Sequence, residues 1–545
     1  MCLRSWFGNQ PFFIMCSPSK IPYPSLPGIQ FTSLVTSLVS NVTTQIPESL
    51  YVNNGALDIE GLGYCHVTTT FTHTGASDNV TVDVYLPTEG WNGRMQGIGG
   101  GGWTAGGLAF PLSAYSMLAA AAEGYSAVTT DAGHPSLSPY DWVLLSPGHV
   151  NYQLLENFGS TSLNELSIIG KAITESYFGK PPHHSYFSGC SQGGRQGMKL
   201  AETYPTAFDG IAASAPAFDL TGLGVGGLWP QVVMKTLGSF SKNCELNAIT
   251  KAAIEYCDAK DGLVDGVILD PEKCDFDPHT VVGNSISCND TGILENITIS
   301  TTAAQVANAT WAGSPLWWGL KKGATLVDED IGFATLAALA TTICSQNRTC
   351  VGKPTEIVTQ WIQLLMEKDP NFDVSTVTAT KFEELFRAAK EEYGAMCDVQ
   401  PNFDAFRDAG GKMITYHGLA DTIVPPDSTT DFYDQVAAKD IKVHDYYRIF
   451  EAPGLGHCYS GSGGYYPAGI FKALVSWVES GIAPDKLPAS TVPHNGTVYN
   501  GVLCPYPQKL RYNGQSASST GSGFYCCADG EPGCEKTTVR AHEEL

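Results

Sequence analysis

Strand and helix patterns alternate along this chain from Met95 to Ala215, stop near Pro216, and return at Lys412. Met95–Ile98 is a short strand running into Gly99–Gly102, and an Ala-rich helix over Met117–Glu123 precedes a buried strand at Tyr125–Thr130. A helix at Leu166–Tyr177, a strand at His184–Phe187, a helix at Gly194–Tyr204 and a strand at Gly210–Ala215 continue the pattern. Such alternation builds a parallel sheet covered by helices on both faces, so the expected class is α/β. Upstream, Cys65–Pro87 alternates polar and β-branched residues with period two, which predicts two antiparallel strands. Strands at Lys412–Tyr416 and Tyr446–Phe450 and an amphipathic helix at Gly469–Ser480 complete the scheme. The simplest organisation is one α/β domain, residues 51–216 and 401–545, interrupted by an inserted domain over 217–400. The insertion is helical in texture and carries Trp229, Trp311, Trp317 and Trp318. Residues 1–50, rich in Pro and Ser, read as an N-terminal arm packed on something else.

Charge narrows the partners. The 545 residues hold 31 Lys and Arg against 54 Asp and Glu, a net charge of −23. A chain of that sign repels nucleic-acid phosphate and anionic membrane surfaces, and no run of 18 apolar residues is present to span a bilayer. Sixteen cysteines and seven N-x-S/T sequons, at Asn41, Asn79, Asn289, Asn296, Asn308, Asn347 and Asn495, suit an oxidising, glycosylating route to the cell exterior. Met1–Lys20 has no uninterrupted apolar segment of the kind a secretory leader carries. No motif sets an oligomeric state.

The chemistry centres on Gly189-Cys-Ser-Gln-Gly193, a G-x-S-x-G pentad entered by a strand and left by a helix. That context puts Ser191 on a tight turn with its hydroxyl exposed and offers the Gln192 N–H as an oxyanion donor. The expected chain order of such a site is Ser, Asp, His. Asp421 follows the returning strand in His417-Gly-Leu-Ala-Asp421, with Asp427 a weaker alternative. His457 sits in the Gly-flanked loop Gly454-Leu-Gly-His457-Cys458, and His417 competes for the role of base but precedes Asp421. Gly99–Gly102 and Trp103 follow a strand where a second oxyanion donor belongs, at Gly101 or Gly102. Cys190 precedes Ser191 and Cys458 follows His457. A bond between them would bring serine and histidine into adjacent positions.

These residues resemble the tannase/feruloyl esterase family. The likeness is carried by Gly189-Cys-Ser-Gln-Gly-Gly-Arg-Gln-Gly197, Tyr204-Pro, Phe208-Asp-Gly-Ile211, Ala215-Pro216, His417-Gly-Leu-Ala-Asp421 and Gly456-His-Cys458. It runs from about Cys65 to Pro507. The resemblance implies an α/β-hydrolase fold with a large inserted lid, a Ser191–His457–Asp421 triad, and a Cys190–Cys458 disulfide beside it. It further implies a secreted serine esterase acting on plant-derived phenolic esters, feruloyl esters first and galloyl esters as the alternative, without an organic cofactor; the Trp-rich segments of the insertion are expected to shape its aromatic pocket. One further loop fits a metal: Asp258, Asp261 and Asp265, two of them followed by Gly, with the carbonyls of Leu263 and Val267, suit a ring of hard oxygen ligands. The family's lid carries a calcium loop similar to this one, implying a structural Ca²⁺ remote from the chemistry. Cys257 and Cys274 bracket the loop and are placed to staple it.

Overall fold

The computed structural model describes residues 16–330, 335–459, 463–492, 498–514, 523–528 and 530–531. Cys2, Asn495 and most of the Met1–Lys20 segment lie outside the described residues. Nine strands form the main sheet: β1 (Ile29–Ile46), β2 (Leu57–His73), β3 (Val80–Pro87), β4 (Arg94–Ile98), β5 (Ser126–Thr130), β6 (His184–Cys190), β7 (Gly210–Ser214), β8 (Lys412–Gly418) and β9 (Tyr447–Ala452). Their spatial order is β1-β2-β3-β5-β4-β6-β7-β8-β9. The first four are joined antiparallel and every later pair is parallel. This is the strand arrangement of an α/β-hydrolase.

The expected N-terminal arm is in fact the edge strand β1, in register with β2 from Ile29–His73 to Ile46–Leu57. Ile29, Phe31, Leu34 and Leu38 pack on one core and Val39 and Val42 on the other, while Val35 stays exposed. Seven helices position the site or cover the sheet: α1 (Pro111–Ala122), α2 (Ser162–Phe178), α3 (Gln192–Thr203), α4 (Asn243–Asp258), α5 (Ala379–Cys397), α6 (Pro426–Lys439) and α7 (Ile470–Ser480). Leu163, Leu166 and Ile169 of α2, Met198 of α3 and Phe432 of α6 share one core. Met117 of α1 and Ile470, Leu474 and Trp477 of α7 share the core on the other face. Both faces of the parallel strands are thereby removed from water, which accounts for their nearly continuous apolar runs.

Between β7 and β8 no residue joins this sheet. The intervening chain has its own apolar cluster around Leu246, Ile249, Ala303 and Leu326. A second cluster packs Trp361, Phe386 and Tyr393 against Trp103, Trp142 and Phe158 of the α/β part. The insertion is not purely helical: Ser285–Cys288 pairs with Glu295–Thr298, Glu329–Asp330 with Thr335–Leu336, and Thr342–Cys344 with Cys350–Gly352. Disulfides join Cys16–Cys65, Cys190–Cys458, Cys244–Cys288, Cys257–Cys274, Cys344–Cys350 and Cys504–Cys526. Cys397 is a buried free thiol. Among the described residues no helix is long and apolar enough to cross a membrane. The sequons at Asn41, Asn79, Asn289, Asn296, Asn308 and Asn347 are all exposed.

Candidate active site

Ser191 stands between β6 and α3 with φ 61° and ψ −120°. A non-glycine residue with positive φ is costly, and such strain is characteristic of a turn that must present a side chain. The flanking glycines let backbone segments touch. A Cβ on Gly189 would lie 2.5 Å from the Gly193 carbonyl carbon, and one on Gly193 would lie 2.9 Å from the Gly100 oxygen. The start of α3 is thereby pressed against the Gly99–Gly102 loop.

The N–H groups of Gln192 and Gly102 are among those at this junction that have no intramolecular acceptor within the described residues. The Gly101 N–H is committed to Thr104, at 3.2 Å from its carbonyl oxygen and 3.3 Å from its hydroxyl. Of the two glycines left open by the sequence, Gly102, at φ 57°, has the free donor. Arg195, fully buried, donates from Nε to Gln192 Oε1 at 2.7 Å and to the Gly159, Phe158 and Cys397 carbonyls. It fixes the side chain beside the nucleophile turn, a role the sequence motif alone does not reveal.

His457 Nδ1 donates to Asp421 Oδ2 at 2.7 Å. Asp421 Oδ1 accepts the Ile423 and Val424 N–H groups, each at 2.9 Å. Burial would push the Asp421 carboxyl up, but the adjacent His457 and His417 hold it well below the usual carboxylate range. Burial pulls the His457 imidazole down, and the charges of Asp421 and Glu329 more than reverse this, leaving its pKa raised. His417 Nε2 lies 3.1 Å from the Val424 carbonyl and 3.2 Å from Asp421 Oδ2, and Thr429 Oγ1 is 2.8 Å from Nδ1. With two acceptors facing Nε2, this network assigns a proton to that nitrogen, and His417 buttresses the acid. Asp427 is elsewhere, paired with Lys321 in the first turn of α6.

A cleft of about 780 Å³ opens over Ser191, His457, Gly101 and Gly102. Its aromatic walls are Trp103, Phe110, Tyr140 and Tyr459. The tryptophans expected from the insertion are not in that lining; Trp317, for example, packs against Phe386 in the insertion's core. Behind Ser191 and Gln192 lies a narrow recess walled by Trp103, Phe158, Ala217, Leu220, Leu223, Ile357 and Ile423. His417 and Asp427 line neither space. Cys190 and Cys458 are bonded with Cα atoms 6.0 Å apart, directly beside Ser191 and His457.

Comparison with known proteins supplies the family. Residues 65–527 match the model for "Tannase and feruloyl esterase". The chain belongs to the tannase and feruloyl esterase family. A protein of Arthroderma benhamiae named "Probable feruloyl esterase" is 38% identical over 94% of this chain and 93% of its own length. A "Mono(2-hydroxyethyl) terephthalate hydrolase" of Piscinibacter sakaiensis is 30% identical over 81% of this chain and 80% of that protein. The solved "Tannin acyl hydrolase from Aspergillus niger" superposes with a TM-score of 0.83 at 26% identity, covering 94% of this chain and 95% of that one.

In this family member the acidic loop after α4 is built from its own backbone. Asp258 accepts the Asp265 and Gly266 N–H groups at 3.1 and 3.0 Å, and Asp261 accepts those of Leu263 and Leu269 at 3.2 and 3.0 Å. Asp265 accepts the Val267 N–H at 3.0 Å and the Tyr465 hydroxyl at 2.8 Å. The three oxygens are not drawn together as tightly as the groups that converge within 4.8 Å, His183–His184–Glu479 and Cys244–Cys288–Asp290. Burial above all, and then the neighbouring carboxylates, push Asp261 up to about 7 and Asp265 up to about 6. No ion pair with Lys or Arg relieves them among the described residues. Uncompensated carboxylates next to free carbonyls are a donor chemistry that fits a hard divalent cation. The Cys257–Cys274 bond closes the loop, with Cα atoms 5.4 Å apart. The loop is not remote from the chemistry, because a Cβ at Gly454, in the His457 loop, would lie 2.8 Å from Val267 Cγ1.

Proposed function

We propose that the chain is a secreted serine esterase that releases phenolic acids, feruloyl and related hydroxycinnamoyl acids first, from plant-derived esters. The carrying observation is the cleft of about 780 Å³ over Ser191, whose walls of Trp103, Phe110, Tyr140 and Tyr459 suit an aromatic acyl group. Ser191 attacks the ester carbonyl while His457 takes its proton, with Asp421 holding the ring's tautomer and stabilising the imidazolium. The Gln192 and Gly102 N–H groups receive the tetrahedral oxyanion. His457 then protonates the leaving alcohol, and water activated by the same ring hydrolyses the acyl-enzyme. Residues 217–400 act as the lid of residues 51–216 and 401–545, since Ile357 and Leu223 of the insertion close the recess.

Two side-chain N–H donors beside the Ser191 turn have no partner among the described residues, Trp103 Nε1 and Gln192 Nε2. A methoxy oxygen offers such donors an acceptor, whereas a galloyl ring brings three hydroxyls that each also require an acceptor. This favours feruloyl over galloyl esters; the Aspergillus niger likeness is what supports the galloyl alternative. Steady-state rates on methyl ferulate and methyl gallate decide between them. The expected kcat/KM is at least about tenfold higher for ferulate, the scale of a single mismatched contact. A preference for gallate would make the protein a tannase.

Secretion is supported by the six disulfides among the described residues and by the exposure of all six described sequons, the surface on which glycans are attached. A Ca²⁺ ion would be held by Asp258, Asp261 and Asp265 with the Leu263 and Val267 carbonyls, serving structure alone and balancing the carboxylates' charge. Binding to the folded state stabilises by mass action, about 2.7 kcal/mol at a hundredfold excess over Kd. EGTA, or Asp261→Ala, should lower the melting temperature while kcat measured promptly at low temperature persists. An unchanged melting temperature under both treatments would remove the ion from this reading.

A further inference from the structure

We propose that Glu329, carried by the insertion, is a positioning residue that locks the His457 loop onto the Asp421 loop and supports the charge His457 gains in catalysis. The inference rests on His457 being the base.

Glu329 is 4% exposed and lies 92 residues before Asp421 in the chain. Its Oε1 accepts the His457 backbone N–H at 3.2 Å, and its Oε2 accepts the Thr422 hydroxyl in a short hydrogen bond. One carboxylate therefore bridges the residue that bears the imidazole and the residue that follows the triad acid. Thr422 is fully buried, so the bridge is shielded from water and from salt. A buried carboxylate is expensive to retain unless positive charge arises nearby. His457 supplies that charge each time it takes the Ser191 proton. Among the described residues the titratable groups facing it include Asp421 on the ring nitrogen, Glu329 on the backbone, and His417 behind Asp421.

The location adds a second argument. Glu329 pairs with Leu336 across the Glu329–Asp330/Thr335–Leu336 ladder, and Thr335 and Leu336 line the cleft above Ser191. The same short ladder thus touches both the substrate space and the histidine. Glu329 holds His457 through its backbone N–H and does not line the cleft, so its removal should affect turnover more than binding.

The test compares Glu329→Gln and Glu329→Ala by kcat, KM and pH profile on methyl ferulate, with circular dichroism melts to select a temperature at which both are folded. Glutamine keeps an oxygen for the His457 N–H and an N–H₂ for Thr422 but has no charge. Alanine should lower kcat by roughly tenfold to a hundredfold with KM little changed, the scale of a misplaced base. Glutamine should restore most of that loss. Activity needs neutral His457, so kcat/KM falls as pH drops through its pKa. Removing a neighbouring negative charge lowers that pKa, and the acidic limb of Glu329→Gln should move to lower pH. A wild-type kcat in Glu329→Ala overturns the proposal, as does a glutamine variant that neither recovers kcat nor shifts the limb. His457→Ala is assayed alongside. If it stays active, the assignment of the base has failed; if it is dead while Glu329→Ala is normal, only the role of Glu329 has.

Discussion

Ser191→Ala should retain the fold and lose about 10⁴- to 10⁶-fold in kcat, the range found when a triad nucleophile is removed. The backbone at φ 61° costs alanine what it costs serine, so the turn itself is not expected to relax. What disappears is the hydroxyl placed between the Gln192 and Gly102 N–H groups and the His457 ring. Intact-mass analysis after mixing with methyl ferulate should show a transient acyl adduct in the wild type and none in the variant. Turnover at wild-type rate, or an adduct on the variant, would place the nucleophile elsewhere.

The double change Cys190→Ala/Cys458→Ala should cost more activity than stability accounts for. The bond closes 268 residues, and chain-entropy arguments give it roughly 5 kcal/mol, an upper figure where the unfolded chain keeps structure. Its local effect is separable from that. Ser191 reaches the site from β6 and His457 from the loop after β9, three strands away across β7 and β8. A disulfide between their immediate neighbours restricts relative drift, and a misplacement of about 1 Å can cost on the order of a hundredfold. The measurement is kcat at a temperature where the variant's circular dichroism is that of a folded protein. Turnover near the wild-type value there would mean that core packing alone aligns the pair.

What the sequence revealed followed how local each signal was. The elbow at Gly189–Gly193 was readable because strand, turn and helix signals occupy one short unbroken stretch, His184–Tyr204. The Cys190 and Cys458 neighbours of the site were readable because adjacency in sequence survives any folding. β1 was mistaken for an arm because an edge strand is only partly buried and follows a Pro- and Ser-rich stretch. The aromatic lining was misassigned to the insertion's tryptophans, since composition shows where tryptophans are and not which way they face. Trp103, the one that does line the cleft, stands next to the Gly99–Gly102 loop that had already been singled out. Glu329 had no signal at all: its partners are 93 and 128 residues away, and nothing around it repeats a motif.

The Cys190–Cys458 bond also sets a schedule for biosynthesis. At about 5–20 residues per second, the 268 residues between the two cysteines take roughly 13–54 s to emerge. Cys190 must remain an unpaired thiol for that interval while Cys244, Cys257, Cys274, Cys288, Cys344, Cys350 and Cys397 appear in turn. Six of those seven find partners no more than 44 residues away, in Cys244–Cys288, Cys257–Cys274 and Cys344–Cys350. Short-range bonds thus withdraw most of the competing thiols before Cys458 is made, and the last cysteine to reach the nascent site meets a nearly cleared field. A host that oxidises thiols quickly but reshuffles them slowly would trap Cys190 with an early neighbour, and the yield of active enzyme would follow isomerase capacity more closely than translation rate.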